Sequence, residues 1–178
     1  VLKLYTPAWL PHLKEFCGAL ANITSAQHVI LRLSRSLQKQ MDFLHVLQDG
    51  MPLTLLPAPK LILFQENGLT FESDPIHGQK TGFFLDQREN RARVEALSKG
   101  KSVLNVFSYS GGFSVYAARG GASEVVSVDI SPHAIESAKR NMAHNLHFPT
   151  VAAAKHETFA EDAFDVMASM ASQKRILG

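Results

Sequence analysis

The sequence predicts an α/β protein: residues 78–178 build a parallel, doubly wound sheet, and residues 1–77 form a smaller α+β domain before it. Three observations carry this reading. From Val103 onward, short β-branched runs alternate with helix-period segments, the pattern that places helices against a parallel sheet. The stretch Leu55-Leu56-Pro57-Ala58-Pro59 removes two amide donors and punctuates the chain ahead of that alternation. Hydrophobic residues make up 46% and charged residues 19% of the 178 residues, enough to bury a core.

In the first part, Trp9, Leu10, Leu13, Phe16, Cys17 and Leu20 recur at helical intervals and predict one apolar helix face, and Val29 to Leu33 reads as a short buried strand. Beyond the prolines, Leu61-Ile62-Leu63-Phe64 and Leu69-Thr70-Phe71 flank Glu66-Asn67-Gly68. Asn-Gly accepts the positive φ angles of a tight turn, so a β-hairpin is predicted. Asp86 followed by Glu89 has the spacing of a helix N-terminus, and Gly100 suits its end, so a helix runs between them. Val103 to Phe107 is a strand, Ser108 to Gly112 a loop, Phe113 to Arg119 a helix and Val125 to Val128 a second strand that ends at Asp129. Pro132 suits the first turn of a further helix reaching about His147.

Composition excludes several classes. No apolar run approaches the ~18 residues of a membrane span, so no membrane partner is expected. Eighteen Lys plus Arg against sixteen Asp plus Glu leave a charge of +2, far from that of a dedicated polyanion binder. The lone Cys17 permits neither an internal disulfide nor a multi-thiolate zinc site, which fits a reducing, cytoplasmic setting. The chain opens at Val1 with no initiator Met and no signal-peptide pattern, and is read as a fragment of a longer protein.

The chemistry concentrates in one place. A strand, a glycine-containing loop and a helix, followed by a strand ending in Asp129 eighteen positions after Gly111, is the layout that binds an adenosine-bearing cofactor. Glycine admits close backbone approach, and the acid can accept from both ribose hydroxyls. Ser108-Tyr109-Ser110-Gly111-Gly112-Phe113 lacks the spaced glycines of a pyrophosphate site, which disfavours nicotinamide and flavin. The structural alternative is that Gly111 and Gly112 only turn the chain and Asp129 only caps the next helix.

Glu66-Asn67-Gly68-Leu69, the fourteen residues from Gly78 to Arg91, Val103-Leu104-Asn105 with Phe107-Ser108-Tyr109-Ser110-Gly111-Gly112-Phe113, and Val128-Asp129-Ile130-Ser131 together resemble a family. They look like the class I S-adenosylmethionine-dependent large-subunit ribosomal RNA methyltransferases that act on cytosine C5. The resemblance is strong from about Leu61 to Asn145. It implies a Rossmann-like methyltransferase sheet, here incomplete, with S-adenosyl-L-methionine as cofactor and ribosomal RNA as partner. Residues 1–60 would be part of the family's middle domain, and the amino-terminal PUA domain many members carry is missing.

By that resemblance Phe107, Ser108, Tyr109 and Gly111 pass beside the methionine part of the cofactor, Asp129 holds the ribose and Ile130 lies against the adenine. Glu161-Asp162-Ala163-Phe164 resembles a further acidic motif, in which Asp162 accepts from the adenine amino group and Ala163 donates an amide. Arg88 and Lys80 would meet the cofactor carboxylate or an RNA phosphate, and Arg91 and Arg93 add to the RNA-facing cations. Solvated basic residues are the alternative for these. RNA contact through scattered cations would be weak and salt-sensitive.

The chain departs from the family pattern in carrying neither its Asp-Pro-Pro motif nor its cysteine nucleophile, so it is expected to be inactive alone. Cys17 lies in no matching motif and reads as a buried apolar residue. Ser110 lacks the glycine of a hydrolase elbow, and His144 and His147 have no third ligand at useful spacing, so neither a hydrolase nor a metal site is predicted. Two other functions remain open: a non-catalytic S-adenosylmethionine-binding or RNA-associating remnant, and a guanine-N7 ribosomal RNA methyltransferase of the same architecture. A homodimer is compatible with this reading.

Overall fold

A computed structural model describes residues 1–41, 47–54, 59–76, 78 and 82–175, apart from the side chains of Gln40 and Met41. It contains two compact units, one of residues 1–62 and 73–83, the other of 63–72 and 84–178. The hairpin expected to end the first domain therefore falls in the second unit over residues 63–72.

In the first unit β1 (Leu2–Leu4) pairs in parallel with β2 (Leu31–Leu33), Leu2 opposite Leu31 and Leu4 opposite Leu33. Alternation turns Leu4, Leu31 and Leu33 inward onto Leu13 and Leu37, which come from α1 (Leu13–Thr24) and α2 (Arg35–Met41). The helix expected to start near Trp9 is split. Pro7 and Pro11 hold Pro7–His12 as a 3-10 helix, and α1 starts only at Leu13. Trp9 and Phe16 consequently pack edge to face with ring centroids 5.0 Å apart, and stay 48% and 40% exposed rather than forming a buried stripe. Cys17 is half-buried, and that burial raises its thiol pKa.

In the second unit β3 (Ile62–Glu66) and β4 (Leu69–Ser73) form the expected hairpin, with Asn67 and Gly68 at φ 50° and 81°. A 3-10 turn at Leu85–Gln87 leads into α3 (Arg88–Leu97), so helical backbone begins just before Asp86 and the α-helix after it. Then follow β5 (Ser102–Val106), α4 (Gly112–Arg119), β6 (Glu124–Val128), α5 (Pro132–Ala143), α6 (Pro149–Ala153), β7 (Lys155–Phe159) and α7 (Ala163–Ser172). The three strands are parallel in the order β5-β6-β7, in register from Ser102, Glu124 and Lys155. Val125, Val126 and Val128 of β6 are wholly inaccessible because helices cover the central strand on both faces, the usual state of a parallel sheet. Among the described residues no helix is long and apolar enough to cross a membrane.

The hairpin is docked by two asparagines four residues apart, Asn141 on α5 and Asn145 in the turn just after it. Asn145 donates to the Thr70 carbonyl at 2.7 Å and accepts from its amide at 2.9 Å, which reproduces strand pairing from a side chain. Asn141 accepts from the Glu72 amide at 2.8 Å, and the Glu72 carboxylate is bound by Ser137 and Arg140. The hydrogen bonds from Arg140 and Ser137 draw that carboxylate below its ordinary pKa against the upward pull of burial.

Arg91 corrects an expectation. It was placed among the RNA-facing cations, but its side chain is 2% exposed and grips Glu66 with two hydrogen bonds of 2.8 Å, plus one of 3.0 Å to the Phe84 carbonyl. Tyr116 donates to the same carboxylate at 3.0 Å, and burial with that bond pushes its phenol up to about 12. Arg91 is a core residue joining α3 to the hairpin.

Candidate cofactor site

The site grows from the carboxyl ends of β5 and β6, where a parallel sheet opens its crevice. The chain leaving β5 takes left-handed conformations at alternate residues, Phe107 at φ 56°, Tyr109 at 47° and Gly111 at 73°. Two bulky residues in that region mark a strained, over-determined turn. At Gly111 the reason is also steric, since a Cβ would stand 2.7 Å from the Ala138 Cβ on α5.

Hydrogen bonds hold the turn from three sides. The Ser108 amide donates to the Val128 carbonyl at 2.9 Å, and the Gly111 amide to the Ser108 carbonyl at 2.9 Å. Asp129 accepts from the Tyr109 amide through Oδ2 at 2.8 Å and from the Ser131 amide through Oδ1 at 3.0 Å. Each carboxylate oxygen keeps a further lone pair. Ser131, not Asp129, caps α5, accepting from the Ala134 amide at 3.3 Å. Behind the turn, Asn141 donates to the Ser110 carbonyl at 2.8 Å.

A second polar set lies beneath the turn. Asn105 Nδ2 is 2.9 Å from Ser114 Oγ, which is 2.7 Å from Ser127 Oγ, which is 2.9 Å from His156 Nε2. Burial, with a lesser contribution from the Lys139 charge, holds His156 down at about 4, so its ring is neutral. With Asn105 donating, each hydroxyl both accepts and donates once if Nε2 is the terminal acceptor; the tautomer is assigned from this network.

The sequence-derived residues fall as follows. Phe107, Ser108, Tyr109 and Gly111 follow the carboxyl end of β5, and Asp129 and Ile130 follow that of β6; Phe107 and Ile130 are 67% and 72% exposed. Asp162 caps α7 by accepting from the Phe164 amide at 2.8 Å, with Ala163 buried behind it, and the Phe164 ring lies 6.3 Å from that of Phe107. Arg88 is exposed and paired with Glu89 at 3.0 Å, and Arg93 is exposed on α3. Lys80 lies outside the described residues. Asn141 and the Ser114, Ser127 and His156 set were not singled out from the sequence. The available signal was polar residues in line with the buried stripe of a helix or strand.

These residues fit an adenosine-bearing methyl donor. Ser108 Oγ is buried and has no hydrogen-bond partner among the described residues, which leaves a polar atom at the turn that a ligand group could satisfy. Helix α4 has no side-chain cap, so its first amides are open to a polar group, and Asp129 offers acceptors for a ribose diol. Exposed Phe107, Ile130 and Phe164 give apolar surface to a base.

Fold and crevice define a Rossmann-like, class I methyltransferase domain. Residues 48–164 match the S-adenosylmethionine-dependent methyltransferase family, more than half the chain, and the protein belongs to that family, whose cofactor is S-adenosylmethionine. A ribosomal RNA large subunit methyltransferase of Deinococcus radiodurans is 52% identical over 165 residues, covering 93% of this chain and 39% of that protein. Ribosomal RNA large subunit methyltransferase I of Aliivibrio fischeri is 38% identical over 129 residues, 72% of this chain and 30% of that protein. The chain thus spans about two fifths or less of the length of these curated relatives. Among solved structures, SMU.776, assigned as a methyltransferase and complexed with SAH, superposes with a TM-score of 0.75 at 26% identity over 97% of this chain and 42% of that one. Pyrococcus horikoshii TYW2 in complex with MeSAdo shares the fold, with a TM-score of 0.61 at 16% identity over 93% of this chain and 53% of that one.

Proposed function

We propose that this chain is the cofactor-binding portion of a large-subunit ribosomal RNA methyltransferase acting on cytosine C5. The observation that carries the cofactor role is the Asp129 clamp: one carboxylate fixes the Tyr109 amide at 2.8 Å and still has acceptor capacity toward the crevice. The substrate class rests on likeness to the Deinococcus radiodurans ribosomal RNA methyltransferase at 52% identity. Cytosine C5 rests on the motif resemblance, strong from about Leu61 to Asn145.

In this reading Asp129 accepts from the ribose hydroxyls, Ile130 packs on the adenine, and Asp162 and the Ala163 amide read the adenine edge. Phe107, Ser108, Tyr109 and Gly111 line the methionine part, with Ser108 Oγ donating to its polar end, and Arg88 meets the carboxylate. Arg93 and Lys80 contact RNA phosphate. Bound S-adenosylmethionine supplies an electrophilic methyl group. The residues described here orient it and exclude water, while attack from C5 requires a thiolate at C6. Cys17 lies in no motif that matches the family's nucleophile, and its partial burial raises the thiol pKa, which disfavours the reactive thiolate.

The test is calorimetric titration with S-adenosylhomocysteine. Binding by the parent protein, weakened in Asp129→Ala by about 1–3 kcal/mol, supports the reading. Unchanged affinity in that variant removes Asp129 from the site, and tighter binding of NAD overturns the cofactor.

A further inference from the structure

We infer that Asn141 is a positioning residue for the cofactor turn, coupling the hairpin strand β4 to the backbone at Ser110; the inference rests on the proposed cofactor role of that turn. Asn141 is wholly buried in α5, and its amide has two separate arms. Oδ1 accepts from the Glu72 amide at 2.8 Å, and Nδ2 donates to the Ser110 carbonyl at 2.8 Å.

The geometry gives this residue more than a packing role. Tyr109 and Ser110 form a two-residue segment whose entry amide is held by Asp129 and whose exit carbonyl is held by Asn141. Between these anchors Tyr109 sits at φ 47°, a conformation that is unfavourable for a non-glycine residue and persists only when its surroundings over-determine it. Releasing either anchor lets Tyr109 relax toward negative φ. That rotation would swing the Tyr109 amide off Asp129 and leave a cofactor to pay the ordering cost on binding. The second arm fixes Asn141 itself. Its neighbour Asn145 docks the same hairpin strand at Thr70 and donates to the Asn141 carbonyl at 2.7 Å, but has no recorded bond to the turn itself, so it tests hairpin docking without the loop arm.

The experiment compares the parent protein with N141A, N141D and N145A by amide hydrogen exchange without ligand and by titration with S-adenosylhomocysteine. N141D keeps an acceptor for the Glu72 amide and loses the donor to Ser110, so it tests the loop arm even if N141A fails to fold. The expected result is about tenfold faster exchange at Tyr109 and Gly111 in both Asn141 variants, with Val126 in the central strand unchanged. The Glu72 amide stays protected in N141D only, and S-adenosylhomocysteine affinity falls about tenfold in both. In N145A exchange rises at Thr70 and not at Tyr109. Unchanged Tyr109 exchange in N141D, or an equal rise in N145A, overturns the inference. Absence of S-adenosylhomocysteine binding by the parent protein refutes the proposed function instead, and the exchange comparison still decides the role of Asn141 in holding the turn.

Discussion

Removing the Arg91 guanidinium should destabilise the protein through what it leaves behind. In Arg91→Met the Glu66 carboxylate, 5% exposed, loses two hydrogen bonds of 2.8 Å and keeps the Tyr116 hydroxyl at 3.0 Å as its remaining recorded side-chain donor. The Phe84 carbonyl also loses its 3.0 Å partner. An uncompensated buried charge of this kind costs about 3–5 kcal/mol, whereas replacing both members of a buried pair by apolar groups is often neutral. Arg91→Met should therefore lower the unfolding free energy by about 3–5 kcal/mol, and adding Glu66→Leu should recover most of it. Arg91→Lys, which keeps the charge and loses the two-pronged geometry, should fall between. Urea denaturation at neutral pH reads all four proteins. A loss under about 1 kcal/mol in Arg91→Met, with no recovery on adding Glu66→Leu, would refute the burial argument.

Two further outcomes follow from the same packing. His156 is held neutral down to about 4 against an unfolded value of 6.5, so its contribution is complete above pH 6.5 and is lost as the unfolded chain takes up a proton on acidification toward pH 4. The loss amounts to about 3 kcal/mol. His156→Gln, which retains an acceptor near Nε2, should flatten that part of the stability curve relative to the parent, and identical pH slopes would count against the buried relay. Gly111→Ala should cost about 2–4 kcal/mol, since the added Cβ meets Ala138 at 2.7 Å in a left-handed backbone at φ 73°. A change within about 0.5 kcal/mol in urea denaturation would mean the turn relaxes freely.

How much of this was legible depended on the range of the interaction. The Asn67-Gly68 hairpin was readable because its cause is local: two adjacent residues tolerate positive φ. The strand, glycine turn, helix and strand-end acid were readable because the parallel topology fixes where such a loop and acid meet. Arg91 was misread because nothing local distinguishes an arginine on a polar helix from one that reaches back to Glu66. The bond spans 25 positions with no shared period. Asn141 was overlooked although a signal existed. Ala134, Ala138, Asn141 and Asn145 recur at three- and four-residue intervals on one buried stripe, and a polar amide in such a stripe needs partners. The amino-terminal helix was misplaced because its apolar spacing outweighed Pro11, whose missing amide delays the α-helix to Leu13.

The strain at the cofactor turn ties these points together. Phe107 and Tyr109 each carry a conformation costing about 1–2 kcal/mol, yet neither residue is required by the turn for its size, and glycine or asparagine would adopt the same backbone more readily. What offsets the cost is a set of bonds from outside the turn: Val128 to the Ser108 amide, Asp129 to the Tyr109 amide and Asn141 to the Ser110 carbonyl. Those bonds come from Val128 at the end of β6, from Asp129 just after it and from Asn141, wholly buried in α5, so the regular part of the fold holds the irregular part in shape. The two aromatic residues then gain a purpose that glycine lacks. Phe107 projects an exposed ring beside Phe164, with centroids 6.3 Å apart, and the Tyr109 ring meets Phe84 edge to face at 5.5 Å, so the two left-handed residues each place a ring against an aromatic partner outside the turn.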